Sequence, residues 1–119
     1  MYNGVERYKG GRALSRVIHL SESSFSEDLL RNSERLLINF WAEWCGPCKF
    51  VNHILEELAQ EENLTICLVD VDRNPKLMQR FRIDTIPNIL LYSHGKLIEQ
   101  VKKLDKLMMK EEIRKKILP

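Results

Sequence analysis

The chain is short of cysteine, of unbalanced charge and of long apolar runs, and each shortage excludes a class of protein. Three cysteines cannot build the disulfide framework of a small secreted domain. A net charge of +2 is too small for a general nucleic-acid-binding signal. No apolar run approaches the roughly 18 residues that a membrane span needs. We therefore expect a protein with no nucleic-acid partner and no membrane association.

The first residues of the chain also lack a recognisable targeting signal. Residues 1–16 are polar and contain no apolar core of the kind that a secretory signal needs. We expect them to form a flexible N-terminal extension. A chain of 119 residues suits one domain, so residues 17–119 are expected to form it. Few cysteines and no signal together predict a cytoplasmic protein.

What the chain does contain is a pair of cysteines, Cys45 and Cys48, between an apolar run and a helical pattern. Residues 36–42 before the pair predict a buried strand, and apolar residues recur at helical spacing to about Glu61 after it. Cys45 is thus expected in the first turn of a helix, where free N–H groups and the helix dipole favour a thiolate. Cys48, one turn further on, is close enough to form a disulfide with it. This arrangement suits a reversible dithiol–disulfide couple.

The same two-residue spacing is also half of a zinc site. A second ligand pair is missing, because Cys67 stands alone and His19, His53 and His94 are scattered. We therefore expect no metal and no cofactor. Cys67 lies in a continuous apolar run, where a buried and inert thiol is expected.

Patterns along the rest of the chain predict alternating strands and helices. Strands are expected over residues 16–20, 36–42, 64–71, 88–93 and 96–101, the last two joined by a turn at His94-Gly95. Helices are expected after the capping-box pair Ser24 and Glu27, from about Cys45, after Asn74-Pro75, and after Asp105. Three strands with crossovers and a final hairpin predict an α/β fold, with a mixed central sheet of about five strands flanked by four helices.

One segment resembles the active-site segment of the thioredoxin family. It is Trp-Ala-Glu-Trp-Cys-Gly-Pro-Cys-Lys, residues 41–49. Thioredoxin is the standard example of this motif and of its lowered thiol pKa. The resemblance extends over about residues 17–117 and implies the thioredoxin fold. It also implies a monomeric protein-disulfide reductase, which acts on disulfide-containing protein substrates and is reset by thioredoxin reductase or another dithiol electron donor.

The resemblance assigns a role to each residue of the motif. Cys45 matches the family's attacking, more exposed cysteine, and Cys48 matches the resolving one. Gly46 is expected to allow a tight turn, and Pro47 to stiffen the motif in the manner of the reducing members. Trp44 matches a partly exposed ring beside the site, although simple packing would also explain it.

A second matching segment lies far along the chain. Pro87 matches the family's cis-proline opposite the two cysteines. The backbone of the preceding residue, Ile86, is then expected to pair with an extended substrate strand by β-augmentation. These two residues are the predicted substrate-binding site.

Two departures from the family concern a buried charge pair. Asn39 stands where thioredoxins usually carry an Asp beneath the cysteines, and Leu68 stands where many carry its Lys partner. Losing both together avoids leaving either charge buried and unpaired. Asn39 cannot take up a proton, which predicts slower disulfide exchange. Alternatively, Asn39 is simply a hydrogen-bonded core amide that supports the active site.

Three further departures are milder. Asn88 replaces the usual Thr after the cis-proline, and His53 replaces a kinking proline and is expected to be structural. Lys102 replaces a Gly near the docking rim, where it would favour acidic partners, or would simply be solvated with Lys103 and Lys106.

Three functions remain open from the sequence. The first is the disulfide reductase. The second is a disulfide isomerase or oxidase, which Gly46-Pro47 between the cysteines and the absent signal disfavour. The third is a thioredoxin-fold adaptor or assembly subunit with weak redox activity, which the missing charge pair and Lys102 favour.

Overall fold

A computed structural model describes residues 5–8, 15–61, 64–102 and 109–117 of the chain. Its elements, in chain order, are as follows: β1 (Val5–Tyr8), β2 (Ser15–His19), α1 (Glu27–Asn32), β3 (Leu36–Trp41), α2 (Gly46–Glu61), β4 (Thr65–Asp70), α3 (Pro75–Arg80), β5 (Asn88–Ser93), β6 (Lys96–Val101) and α4 (Met109–Ile117). In this part of the chain, no helix is long and apolar enough to cross a membrane.

The strands form one mixed sheet in the order β1-β2-β4-β3-β5-β6. β4 lies parallel to both β2 and β3, whereas β5 pairs antiparallel with β3 and β6 antiparallel with β5. Parallel neighbours need crossover connections, which α1 and α2 provide. The predicted α/β fold, with a mixed sheet of β2 to β6 and four helices, is confirmed.

Strand β1 was not predicted from the sequence. It pairs antiparallel with β2, so that Val5 lies opposite Ile18 and Tyr8 opposite Ser15. Backbone groups at a sheet edge accept a partner strand of almost any composition, so a polar segment carries little signal of this pairing. The expectation of a flexible extension is therefore corrected for Val5–Tyr8. Residues 1–4 and 9–14 lie outside the described residues, and the division of the chain after residue 16 stays a prediction.

The core has two layers, one on each face of the sheet. Leu37 of β3 packs with Leu55 of α2 and Ile113 of α4 on one face. Ile38, the next residue of β3, packs with Leu30 of α1 on the other face, where α3 also lies. β3 and β4 are therefore buried on both sides, which explains why their sequences are continuous apolar runs rather than alternating ones.

The connections confirm one sequence prediction and correct another. His94 and Gly95 both have positive φ, 48° and 84°, as a tight two-residue hairpin between β5 and β6 requires. Helix α1 is capped by Ser26, whose Oγ accepts a hydrogen bond from Leu29 N at 3.3 Å. The predicted cap, Ser24, is wrong, because its hydroxyl oxygen accepts from the backbone N–H of Ser21 in the preceding turn. The predicted cap Asp105 lies outside the described residues.

Candidate active site

Helix α2 starts where β3 leaves the sheet, and Cys45 lies at this junction. Cys45 N donates to Ala42 O at 3.1 Å, which closes the turn, and Cys45 O accepts from Lys49 N at 3.4 Å. Cys45 is thus the residue whose carbonyl accepts the first hydrogen bond of the helix. The free N–H groups of the first helical turn surround this position. The predicted helix start is confirmed to within one residue.

Cys45 and Cys48 are joined by a disulfide, with their Cα atoms 5.3 Å apart. The two residues are not equivalent: Cys45 keeps 6% of its surface exposed, whereas Cys48 keeps 0%. The Cys45 Sγ also accepts a hydrogen bond from Cys48 N at 3.2 Å. An N–H group that points at sulfur favours the negatively charged form of that sulfur. Cys45 is therefore the more accessible residue of the pair, and its sulfur has electrostatic support.

The residues around the pair leave the approach to Cys45 open. Trp44 is 70% exposed, and its Nε1 donates to Asp72 Oδ2 at 2.9 Å, which fixes the ring beside the site. Gly46 is exposed, and a Cβ added there would meet no atom within 4 Å. Its φ is not positive, so a left-handed backbone conformation does not explain glycine at this position, and the expected role in a tight turn stays a prediction. Pro47 is also exposed, in the first turn of α2, where the missing N–H is tolerated.

The Ile86–Pro87 peptide bond is cis, as the family resemblance implies. Both residues are half-buried, and Ile86 packs against the hydrophobic cluster that contains Cys45 and Cys48. The fold therefore brings this loop, about 40 residues further along the chain, to the same cluster as the cysteines.

Asn39 lies fully buried in β3, in register with Leu68 of β4 and Ile89 of β5. The two positions where the family often carries opposite charges are therefore neighbours here, and both are neutral. Asn39 Nδ2 donates to Asn52 Oδ1 of α2 at 2.7 Å. Asn39 Oδ1 has no hydrogen-bond partner among the described residues. This contact of Asn52 was not predicted from the sequence; its spacing of four residues from Cys48 was the available signal.

The remaining candidate residues are placed as follows. Asn88 is buried, and its Oδ1 accepts from Gln100 Nε2 at 3.1 Å. His53 lies on the exposed side of α2, with its Nε2 3.8 Å from Glu57 Oε2, so it does not line the cysteine site. Lys102 is exposed, while Lys103 and Lys106 lie outside the described residues.

The third cysteine, Cys67, is buried in β4 and takes no part in the disulfide, as expected. Across the described ranges, no group of three or more His, Cys, Asp or Glu side chains is arranged to hold a metal ion. A cysteine pair at a helix N-terminus, on a mixed sheet with a cis-proline loop beside it, defines a class of protein: the thiol–disulfide oxidoreductases.

Comparison with known proteins gives the family. The thioredoxin family profile, described as "Thioredoxin", matches residues 16–118. A thioredoxin of Mycobacterium tuberculosis (strain ATCC 25618 / H37Rv) is 38% identical over 89 residues, which cover 73% of this chain and 77% of the relative. A bifunctional thioredoxin reductase/thioredoxin of Mycobacterium leprae (strain TN) is 38% identical over 87 residues, covering 71% of this chain and 19% of that protein.

Among solved structures, a mutant thioredoxin from Halobacterium salinarum NRC-1 is similar in fold, with a TM-score of 0.70 and 24% identity over 87% of this chain and 92% of that one. The chain belongs to the thioredoxin family. It is a thioredoxin-type protein-disulfide reductase, and these findings support this interpretation over the adaptor.

Proposed function

We propose that Cys45 is the nucleophile and Cys48 the resolving residue of the reductase cycle. The Cys45 thiolate attacks a substrate disulfide and forms a mixed disulfide, while one substrate sulfur leaves and takes up a proton. Cys48 loses its proton and attacks the Cys45 sulfur, which releases the second substrate sulfur as a thiol. The two protein sulfurs are thereby oxidised to the disulfide, and the two substrate sulfurs are reduced. The unequal exposure of the two cysteines carries this assignment.

The substrate, in this proposal, docks as an extended strand across Ile86 and Pro87. The backbone of Ile86 supplies main-chain hydrogen bonds, which bind substrates with little demand on their sequence. The packing of Ile86 on the cysteine cluster supports this role. The exposed ring of Trp44 and the open space at Gly46 leave room for a partner chain above Cys45.

Two electrons must return to the disulfide after each cycle. A thioredoxin reductase is the proposed donor, and another dithiol protein would serve in the same way. The relative from Mycobacterium leprae supports this, because its name joins a thioredoxin reductase and a thioredoxin in one protein. A reducing compartment such as the cytoplasm suits a pair that must be reset, and one chain holds the whole proposed site, which suits a monomer.

Reduction of insulin disulfides, with dithiothreitol or thioredoxin reductase as the electron source, tests the assignment. Cys45→Ser and Cys48→Ser should each lower turnover to the rate without protein, because each removes one of the two sulfurs that the cycle needs. Cys67→Ala is the matched control: it removes the buried third thiol and should keep the parental rate. Parental turnover in Cys45→Ser would contradict the proposal.

A further inference from the structure

The amide of Asn39 is satisfied on one side only. Its Nδ2 donates to Asn52 Oδ1 at 2.7 Å, whereas its Oδ1 is buried with no partner among the described residues. A buried acceptor without a donor carries the full cost of losing water. Such a group is unusual in a folded protein, so a donor that appears in another state of the molecule would explain it.

The hydrogen bond to Asn52 ties this amide to the face of α2 that carries Cys48. The two residues are four apart on α2, so their side chains share one face of the helix. Because Cβ atoms lean toward the helix N-terminus, the Asn52 amide covers the turn that begins at Cys48. Asn39 is tied to Asn52 by its hydrogen bond, and both Asn39 and Cys48 are fully buried. The unsatisfied oxygen therefore lies in the buried layer between β3 and the first turns of α2, the helix face that also carries Cys48.

Reduction of the disulfide creates new donors in this layer. A disulfide sulfur has no hydrogen, whereas a thiol is a weak donor. Cys45 is the partly exposed member of the pair, and its sulfur already accepts the N–H of Cys48. Cys48 is the fully buried member, so its thiol is the one that can donate inward.

We propose that Asn39 Oδ1 accepts a hydrogen bond from the Cys48 thiol, and that this bond exists only in the reduced protein. The inference rests on the dithiol–disulfide cycle proposed above and makes Asn39 a positioning residue for Cys48. Asn52 holds the amide in place from the helix side. Leu68, opposite Asn39 on β4, offers no competing donor to the oxygen.

The bond shifts the redox equilibrium toward the dithiol. In exchange with glutathione, the protein disulfide and two glutathione thiols give the protein dithiol and one glutathione disulfide, a transfer of two electrons and two protons. A hydrogen bond present only on the dithiol side raises the equilibrium constant for reduction of Cys45–Cys48. The pair is then more oxidising than it would be with an apolar residue at position 39.

Asn39→Leu in the full chain tests this, because it removes the acceptor while keeping a similar volume. Parent and variant are equilibrated in glutathione redox buffers, and the dithiol fraction is counted by thiol alkylation and mass spectrometry. The variant's equilibrium constant for reduction should fall about fivefold to tenfold. This corresponds to the low end of the free energy gained when a buried acceptor receives a hydrogen bond, because S–H is a weak donor. At about 29.6 mV for each factor of ten, the potential becomes more negative by about 20 to 30 mV.

A second readout separates this role from a merely structural one. The free energies of unfolding of the oxidised and reduced forms are compared in parent and variant. If Asn39 were only structural, the substitution would change the free energy of unfolding of both redox forms equally. Loss of the proposed bond should instead lower the free energy of unfolding of the reduced form more than that of the oxidised form. Asn39→Val tests the same point if the leucine variant does not fold, since Val is apolar and suits a strand.

Asn74→Ala is the matched control. Asn74 is also buried, at 7% exposure, but both sides of its amide are paired: Oδ1 with Glu22 N at 3.0 Å and Nδ2 with Asp70 O at 3.0 Å. Its loss should destabilise both redox forms alike and leave the equilibrium constant unchanged.

Two results would overturn the inference. An unchanged constant in both Asn39 variants would mean that Oδ1 is satisfied equally in the two redox states, as a buried water would do. A shift toward the dithiol would mean that Asn39 presents an N–H to sulfur instead. If the parent formed no Cys45–Cys48 disulfide across the buffers, the proposed function itself would fail, which is a different and separable outcome.

Discussion

The inner face of helix α2 begins among buried, uncharged groups, and the helix ends among exposed ion pairs. At its start, Cys48 has no solvent exposure, and neither has Asn39, which is hydrogen-bonded to Asn52 one turn further on; the first turn holds no acidic residue. At its end, Glu57 and Glu61 meet Lys110 of α4, with N–O distances of 3.6 and 3.0 Å. The Glu61 side chain is 40% exposed there. One helix thus uses neutral contacts beside the sulfurs and charged contacts at the surface.

The difference follows from the cost of removing charge from water. A buried charge costs several kcal/mol unless a partner compensates it, whereas an exposed ion pair is worth roughly 0 to 1 kcal/mol. Changes of charge at the start of α2 should therefore be severe, and changes at its end mild. Because Asn39 and its neighbour Leu68 are both neutral, the protein does not carry the cost of a buried, unpaired charge at these two positions.

The largest effect is expected where charge is added at the buried end. Asn39→Asp should lower the free energy of unfolding by about 3 kcal/mol at neutral pH, because it buries a carboxyl whose neighbour in register on β4, Leu68, is neutral. Burial raises the pKa of such a carboxyl, so the folded variant keeps a proton that the unfolded chain loses. The deficit therefore grows as pH rises above about 4 and shrinks in acid. Urea unfolding at a series of pH values measures it.

The control adds the missing cation on the neighbouring strand. Leu68 is in register with Asn39, so Asn39→Asp with Leu68→Lys should lose less stability than the two single variants together. Strictly additive losses would count against the role of unpaired charge.

The same Asn39→Asp variant should reduce insulin faster than the parent, and the gain should grow as pH rises, because only the ionised form of the new carboxyl can accept the Cys48 proton. A rate equal to that of the parent at every pH would contradict the prediction of slower exchange in the parent.

The smallest effect is expected at the exposed end. Hydrogen bonds from Arg114 and Lys110 hold the pKa of the Glu61 carboxyl below its usual value. Glu61→Gln should nevertheless cost less than about 1 kcal/mol, because water and salt screen these partly exposed groups. Thermal unfolding at low and high salt measures the loss, which should diminish with added salt.

Folding lowers the pKa of Glu61 but raises that of the carboxyl in Asn39→Asp, so as pH rises Glu61 stabilises the folded protein and the new carboxyl destabilises it; the losses in Glu61→Gln and Asn39→Asp therefore both shrink in acid. Because the pKa of Glu61 is lowered by folding, its contribution is complete above about 4.3, the unfolded value, and is lost as pH falls through the folded value. Glu34→Gln, at an exposed position before β3, is the matched control for the removal of one surface carboxylate. If Glu61→Gln lowered the free energy of unfolding as much as Asn39→Asp, the expected difference in cost between the buried start and the exposed end of α2 would be contradicted.

Much of the fold could be predicted from local pattern. The apolar runs of β3 and β4 and the His94-Gly95 turn carry their structure in a few adjacent residues. The position of Cys45 and Cys48 at the start of a helix could be predicted in the same way, because an apolar run ends before the pair and a helical pattern follows it. The cis bond before Pro87, in contrast, followed from family resemblance, since most X-Pro bonds are trans and no local pattern of this loop indicates otherwise.

What could not be predicted depends on contacts between distant segments. Strand β1 exists because β2 leaves an edge that it can pair with, and its own residues carry little sign of this. The hydrogen bond between Asn39 and Asn52 joins a strand to a helix, and the sequence shows two unrelated amides. The cap of α1 was assigned to Ser24 rather than Ser26 because both serines suit the position, and the turn geometry decides between them.

Trapping of the mixed disulfide tests the central assignment most directly. Variants Cys48→Ser and Cys45→Ser, each fully reduced, are mixed with an oxidised substrate protein, and covalent complexes are identified by mass spectrometry without reductant. Cys48→Ser should accumulate a complex linked through Cys45, because the more accessible cysteine, the proposed nucleophile, remains and the proposed resolving sulfur is gone. Cys45→Ser should yield almost none, because Cys48 is fully buried. Equal trapping through Cys48, or none through Cys45, would contradict the account.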